Sequence, residues 1–290
     1  MVDFEAAIGF VVARGDAVDR ARLSYLRSEL PAPPDVIAKV EMGQSPDGGW
    51  PAFWGGEVAS LDATCFRLAE LDDLGALDRP AARGALAWLA GRQRPDGTWQ
   101  EDPALADAAP EWARPGDPEA TLYLTANVGF WLAATAPTEN LSTMPPDGAP
   151  IDAEAAQTEA DRQAQAVRHA EALARATQAF RAAMRPDGTW PSYLVAGWLG
   201  AAMLYRTGWF YESAQIQVIL AERAADMSAA DVASMAAALR RVGCSPDDRI
   251  MVAARRRLSE TQQPDGGWDS DDGHNFDVHT TLTAIRALRA

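Results

Sequence analysis

Positive charge is scarce in this chain, and so are cysteine and histidine. Lysine and arginine number 26 against 41 aspartates and glutamates, which leaves a formal net charge of −15 and a pI near 4.6. That balance repels polyanions, so neither nucleic acid nor an anionic membrane surface is an expected partner. Two cysteines in 290 residues build no disulfide framework. Cys65 falls in an apolar helical stretch and Cys244 in a turn, so both are expected as free thiols in a reducing compartment. The three histidines are His169, His274 and His279. None belongs to an H-E-x-x-H motif, and neither G-x-S-x-G nor D-D-x-x-D occurs. The start, Met1-Val-Asp-Phe-Glu, has no basic residue before its apolar stretch. A signal peptide is therefore not expected, and a cytoplasmic location is. No stretch alternates like a strand.

Charge-free stretches run from Ala120 to Thr138 and from Gly188 to Tyr205. The first contains Thr, Asn and Gly, and the second opens on Gly-Thr-Trp-Pro-Ser. Both suit helices buried on all sides better than membrane spans.

What the chain does have is one phrase repeated four times. Gln44-Ser-Pro-Asp47-Gly-Gly-Trp50 is followed by Gln93-Arg-Pro-Asp96-Gly-Thr-Trp99, Met184-Arg-Pro-Asp187-Gly-Thr-Trp190 and Gln262-Gln-Pro-Asp265-Gly-Gly-Trp268. Proline stops the preceding helix, and Asp-Gly makes a tight turn. Tryptophan is a large anchor whose indole N–H needs a carbonyl or a Gln of another copy. Four copies of one turn mean copies of one supersecondary unit, with the tryptophans as staples. Helical periodicity places twelve helices near 3–13, 16–29, 34–44, 60–75, 79–93, 118–135, 152–183, 191–206, 209–224, 228–242, 246–262 and 278–289. The polar helix from Asp152 reads as a solvated outer one, whole or broken in two, with His169 in solvent. Loops near 100–117 and 136–151 are surface segments or flaps over a cavity.

A second repeat opens three helices: Ser60-Leu-Asp62-Ala-Thr64, Asp117-Pro-Glu119-Ala-Thr121 and Asp277-Val-His279-Thr-Thr281. The first residue suits an N-cap, and Pro118 suits the first helical position. The third residue then sits in the first turn, where an acid favours the helix dipole and an imidazolium does not. Asp62, Glu119 and His279 are expected at one rim of the fold, where they can share a proton or a divalent metal. Asp62 and Glu119 also have a purely structural explanation as helix-start acids.

The four turns resemble the QW-type repeat of the squalene-cyclase, class II terpene-cyclase and protein-prenyltransferase β-subunit superfamily, over roughly residues 34 to 290. The resemblance implies an all-α fold, an α/α toroid of about six helical hairpins, with residues 1–290 as a single domain around a central cavity. Class II cyclases begin one inner helix with D-x-D-D-T, whose middle Asp protonates an alkene or epoxide. Ser60-Leu61-Asp62-Ala63-Thr64 keeps that Asp and the Thr and replaces both flanking carboxylates. The literal Asp269-Ser-Asp271-Asp272 lies in a turn and reads as a solvated acidic loop or an incidental cation site. Prenyltransferase β-subunits hold zinc with an Asp, a Cys and a His. Asp277-Val-His279 resembles the histidine segment, but Thr189 stands where the thiolate belongs, so no zinc and no protein prenylation are expected.

The implied function is a terpenoid-cyclase-like isomerase that binds an uncharged hydrophobic isoprenoid. Asp62 is the proton donor, assisted by Glu119 or His279, and no metal or cofactor is expected. Phe66, Tyr123, Trp131, Tyr193 and Trp198 are the candidate lining; packing between the helix rings is the other role open to each of them. Two alternatives stay open. One is a non-catalytic lipid-binding toroid. The other is a six-hairpin carbohydrate-active enzyme with Asp62 and Glu119 as acid and base.

Overall fold

The computed structural model describes residues 2–137 and 153–289. Among them are twelve α-helices: α1 (Phe4–Arg14), α2 (Ala17–Ser28), α3 (Pro34–Glu41), α4 (Leu61–Asp73), α5 (Pro80–Gly91), α6 (Pro118–Thr135), α7 (Ala153–Ala183), α8 (Leu194–Arg206), α9 (Phe210–Arg223), α10 (Ala229–Arg241), α11 (Arg249–Thr261) and α12 (Asp277–Leu288). The only described strands are β1 (Trp50–Pro51) and β2 (Ala59–Ser60), paired antiparallel with Trp50 opposite Ser60. The chain is all-α.

The even-numbered helices touch in cyclic order. α2 packs on α4, α4 on α6, α6 on α8, α8 on α10, α10 on α12, and α12 returns to α2. The odd-numbered helices pack behind them, as α1 does on α12 and α9 on α8. This is the neighbour order expected of an α/α toroid. The charge-free stretches form α6 and α8, which are buried nearly all round. Small residues let their surroundings close in. A Cβ on Gly197 would lie 2.0 Å from the Trp190 ring.

The four repeated turns are alike in hydrogen bonding. Thr98 O receives Arg94 N, and the same bond closes the copies at Ser45, Arg185 and Gln263. Each turn then grips the next outer helix. Gln44 Nε2 donates to Ala81 O of α5, and Gln93 Nε2 to Ala172 O of α7. Gln262 holds both Asp3 N and Asp3 O, the cap of α1. Gly266 takes φ +93°, and a Cβ there would lie 2.3 Å from the carbonyl carbon of Ala6. The last turn thus clasps the first helix. Met184 has no side-chain donor, and its copy lacks this bond.

The tryptophans are anchors. Trp50, Trp99 and Trp268 are almost completely buried, and Trp190 nearly so. The indole N–H of Trp99 donates to Leu89 O, that of Trp268 to Leu258 O, and that of Trp190 to Tyr193 O. Trp50 Nε1 is buried with no partner among the described residues. Of the two partners expected for the indoles, a carbonyl or a Gln of another copy, Trp99, Trp190 and Trp268 use carbonyls.

Two expectations about α7 are corrected. The helix runs unbroken from Ala153 to Ala183. His169 is half-buried, with Nε2 shut off from solvent and, among the described residues, unpartnered, because the last third of α7 packs inward through Ala172, Ala176 and Phe180. The loop expected near 136–151 lies almost wholly outside the described residues. Both cysteines are free and buried. No described helix is long and apolar enough to cross a membrane.

Candidate functional site

Ser60 caps α4, its hydroxyl receiving Ala63 N, which places Asp62 in the first turn. Thr64 donates to Ser60 O and receives the backbone N–H of Trp50. Thr281 makes the same pair of bonds, to Asp277 O and from Trp268 N. In α6 the tryptophan N–H of the turn, Trp99 N, goes to Thr125 rather than Thr121. α6 therefore starts one turn early relative to α4 and α12. The residue two before the bonded threonine is Asp62 in α4, His279 in α12 and Tyr123 in α6.

That register decides which residues meet. Tyr123 Oη donates to Asp62 Oδ1 at 2.7 Å and itself receives Asn127 Nδ2 at 3.2 Å. Trp112 Nε1, from the loop before α6, reaches Asp62 Oδ2 at 3.3 Å. Asp62 remains partly open to solvent. Burial pushes its carboxyl above the usual aspartate value, and the Tyr123 and Trp112 hydrogen bonds pull the other way. No arginine pairs with it among the described residues. Tyr123 in turn is raised well above the ordinary phenol value by burial and by the Asp62 charge.

Glu101 stands beside this group, two residues after Trp99. It is 2 % exposed. Its carboxylate receives Ser60 Oγ at 2.7 Å, Leu61 N at 2.8 Å and Asp62 N at 3.0 Å. It therefore takes up free donors of the α4 N-terminus. Burial pushes its carboxyl up, the three hydrogen bonds pull it down, and the nearby Asp62 charge pushes it up again.

Phe66 lies one turn beyond Asp62 and is 46 % exposed, although α4 has helices on both flanks and behind. It stacks on His279 of α12 with ring centroids 5.9 Å apart, across the front of α2. Tyr193 meets Tyr123 edge-on at 6.4 Å. Trp131 and Trp198 are buried in the core, with Trp131 edge-on to Phe130.

His279 belongs to a different cluster. Its Nδ1 accepts from Arg22 Nη1 and Nη2, both at 3.2 Å, so the ring is neutral with its proton on Nε2. Burial, then the Arg22 charge, lower its pKa to about 4. Arg22 is buried and pairs with Asp73 at 2.5 Å. Arg286 bridges Asp72 and Asp73, and Arg241 reaches Asp72 at 3.1 Å. These ions join α2, α4, α10 and α12.

The expected convergence of Asp62, Glu119 and His279 at one rim is not what the structure shows. The Glu119 side chain is exposed and, among the described residues, makes no hydrogen bond; only its backbone O is used, by Ser192. The four-residue shift of α6 puts Tyr123 where Glu119 was expected. Asp277 is the first residue of α12 rather than its N-cap, and its carboxylate holds Ser270 N and His274 Nδ1. Among the described residues, one group has ligand atoms close enough for a metal ion: Asp269, His274 and Asp277, within 4.8 Å of one another. It lies on the turn before α12 and includes none of the three expected residues. A cavity of about 360 Å³ borders it, and a larger one of about 1170 Å³ lies among α5, α6, α7 and α8, away from Asp62.

No family model matches the sequence, and no curated protein matches it. Solved structures do match. A protein from Actinoplanes aligns with TM-score 0.55 at 19% identity, covering 94% of this chain and 89% of that one. The type II terpene cyclase MstE from Scytonema aligns with TM-score 0.55 at 16% identity, over 94% and 88%. A variant of MstE in complex with merosterolic acid A, its product, gives 0.52 at 17%, over 94% and 86%. The chain shares the fold of a type II terpene cyclase. At such identities the likeness concerns architecture, and the chemistry has to be argued from Asp62 and its surroundings.

Proposed function

We propose that the protein binds an uncharged polyprenoid inside the ring of even-numbered helices and isomerises it by protonation from Asp62. The observation that carries this reading is a half-buried aspartate with aromatic rings next to it and, among the described residues, no cation paired with it. Burial favours the neutral acid. Tyr123 directs its hydroxyl at Oδ1, since its own oxygen is occupied by Asn127. Oδ2 has only the longer Trp112 contact, at 3.3 Å, and is the oxygen left to carry the proton. A donor on the carbonyl oxygen of a carboxylic acid stabilises the carboxylate formed when the proton leaves.

The step is a plain proton transfer. The Asp62 O–H bond breaks, a new C–H bond forms at one alkene carbon, and the other carbon becomes cationic. A second alkene attacks that cation and closes a ring, and loss of a proton from carbon ends the reaction without change of composition. The faces of Phe66, Tyr123 and Tyr193 offer cation–π stabilisation along the way. A solved variant of MstE, with TM-score 0.51, holds geranylgeranyl dihydroxybenzoate as its substrate, which supports a polyprenyl ligand for this fold. Net charge −15 disfavours a diphosphate headgroup. Glu119 makes no hydrogen bond to Asp62 among the described residues, and nothing else in the structure pairs the two as the acid and base of glycoside hydrolysis.

The test is incubation with linear polyprenes of several lengths and their epoxides, beside Asp62→Asn. Cyclised product from the parent and none from the variant supports the reading. Binding by both without product leaves a lipid-binding protein, and absence of binding sinks the isoprenoid interpretation.

A further inference from the structure

We infer that Glu101 is a positioning residue: from the loop before α6 it supplies the second carboxylate that keeps Asp62 a neutral acid. The inference deepens the reading of Asp62 as proton donor and rests on it. An aspartate in the first turn of a helix is ordinarily held as the anion, because the unpaired N–H groups there present a positive end. Asp62 has that position, and its sequence neighbours Ser60, Leu61 and Ala63 bring no charge. Left alone, the helix start would favour the wrong protonation state.

Glu101 reverses this locally. Its carboxylate takes Leu61 N, Asp62 N and the Ser60 hydroxyl, so donors that would otherwise favour an Asp62 anion are spent on another anion. It is bonded to the backbone N–H of Asp62 itself, which places its negative charge against any charge forming on Asp62. Like charges in a buried site cannot both ionise cheaply. The groups facing Asp62 are Cys65 from its own helix, Tyr123 from α6, and Glu101 and Trp112 from the loop; Arg22 faces His279 and Asp73 instead. None of those facing groups is cationic. Glu101 is also out of place by composition. The position two residues after the turn tryptophan is Ala52, Ser192 or Ser270 in the other copies.

The test reads ionisation without any substrate. Protein labelled with ¹³C at the aspartate and glutamate carboxyls is titrated by NMR, with the Asp62 signal assigned by its loss in Asp62→Asn. In Glu101→Gln the Asp62 midpoint is expected to fall by about one unit or more, as removal of a close like charge does. Glu101→Asp, which keeps the charge, should restore much of it. An unchanged midpoint in a folded Glu101→Gln protein would reduce Glu101 to a helix cap and overturn the inference. Should the Glu101 variants fail to fold, the reciprocal measurement remains. In Asp62→Asn the Glu101 midpoint must fall too, because coupling is mutual, and an unmoved Glu101 overturns the inference equally. Coupled carboxyls without turnover would contradict the cyclase reading alone; uncoupled carboxyls with turnover would contradict only the role of Glu101.

Discussion

Asp62 and His279 occupy the same step of two inner helices, two residues before the threonine that receives a tryptophan N–H, yet their surroundings differ completely. Around His279 the charges are balanced. Arg22, Arg241 and Arg286 meet Asp72 and Asp73, and the imidazole is left as a neutral acceptor. Around Asp62 the neighbours are a phenol, an indole, a thiol and a second carboxylate, with no cation among the described residues. One cluster ties four helices together and has no proton to give. The other leaves one carboxyl raised, partly open and beside aromatic rings. Position in the repeat sets where a side chain points; what packs around it sets its chemistry.

Breaking the ionic cluster should have the largest effect. Arg22→Met leaves the buried Asp73 carboxylate with Arg286 alone, and losing one partner of a buried ion pair costs up to about 3–5 kcal/mol. A fall in melting temperature of several degrees is expected, and a variant that melts like the parent would show the network to be dispensable. Outside both clusters, Trp268→Ala sets a scale for packing. Its side chain is 1 % exposed, and such a deletion costs about 3–5 kcal/mol.

The pH dependence sharpens the contrast. His279 has a pKa of about 4 in the fold against 6.5 ordinarily. Between these values the unfolded chain binds the proton and the folded one does not. The His279 contribution is therefore fully present above pH 6.5 and is lost as pH falls toward 4. Denaturant titrations of the parent should show stability declining over that window more steeply than in His279→Gln. Equal slopes would place His279 outside the cluster. Asp73 behaves alike at lower pH. Burial raises its carboxyl, but Arg22 and Arg286 together hold it below the ordinary value, so its contribution disappears only under stronger acid.

The smallest stability effect belongs to the other cluster. Asp62→Asn keeps an oxygen for Tyr123, so stability should change by no more than about 1 kcal/mol, the worth of one hydrogen bond. Turnover, by contrast, should vanish. A large loss of stability in this variant would make Asp62 a structural residue like Asp73.

Much of the architecture was legible beforehand, because proline, Asp-Gly and tryptophan at fixed spacing carry their mechanics in the sequence. The starts of α4, α6, α10 and α12 fall within a residue of expectation. The site was legible in part. Asp62 stood out through Ser60-Leu-Asp62-Ala-Thr64, but Glu119 was chosen over Tyr123 because α6 carries two threonines four apart, Thr121 and Thr125, and the cap at Asp117-Pro118 draws the eye to the first. Only tertiary contact tells which threonine meets Trp99 N. Trp112 lies in a loop without periodicity and gave no signal. Glu101 did give one, as the single charged residue at its place after the four tryptophans.

The central claim is that Asp62 remains a neutral acid where an ordinary aspartate has already ionised. Infrared difference spectra between the parent and Asp62→Asn, taken across pH, read this directly through the carbonyl stretch of a protonated carboxyl. The expected result is an Asp62 band that persists above pH 3.8, the ordinary aspartate value. A band that disappears at or below that pH would mean an anion held by its helix start, and it would contradict the account.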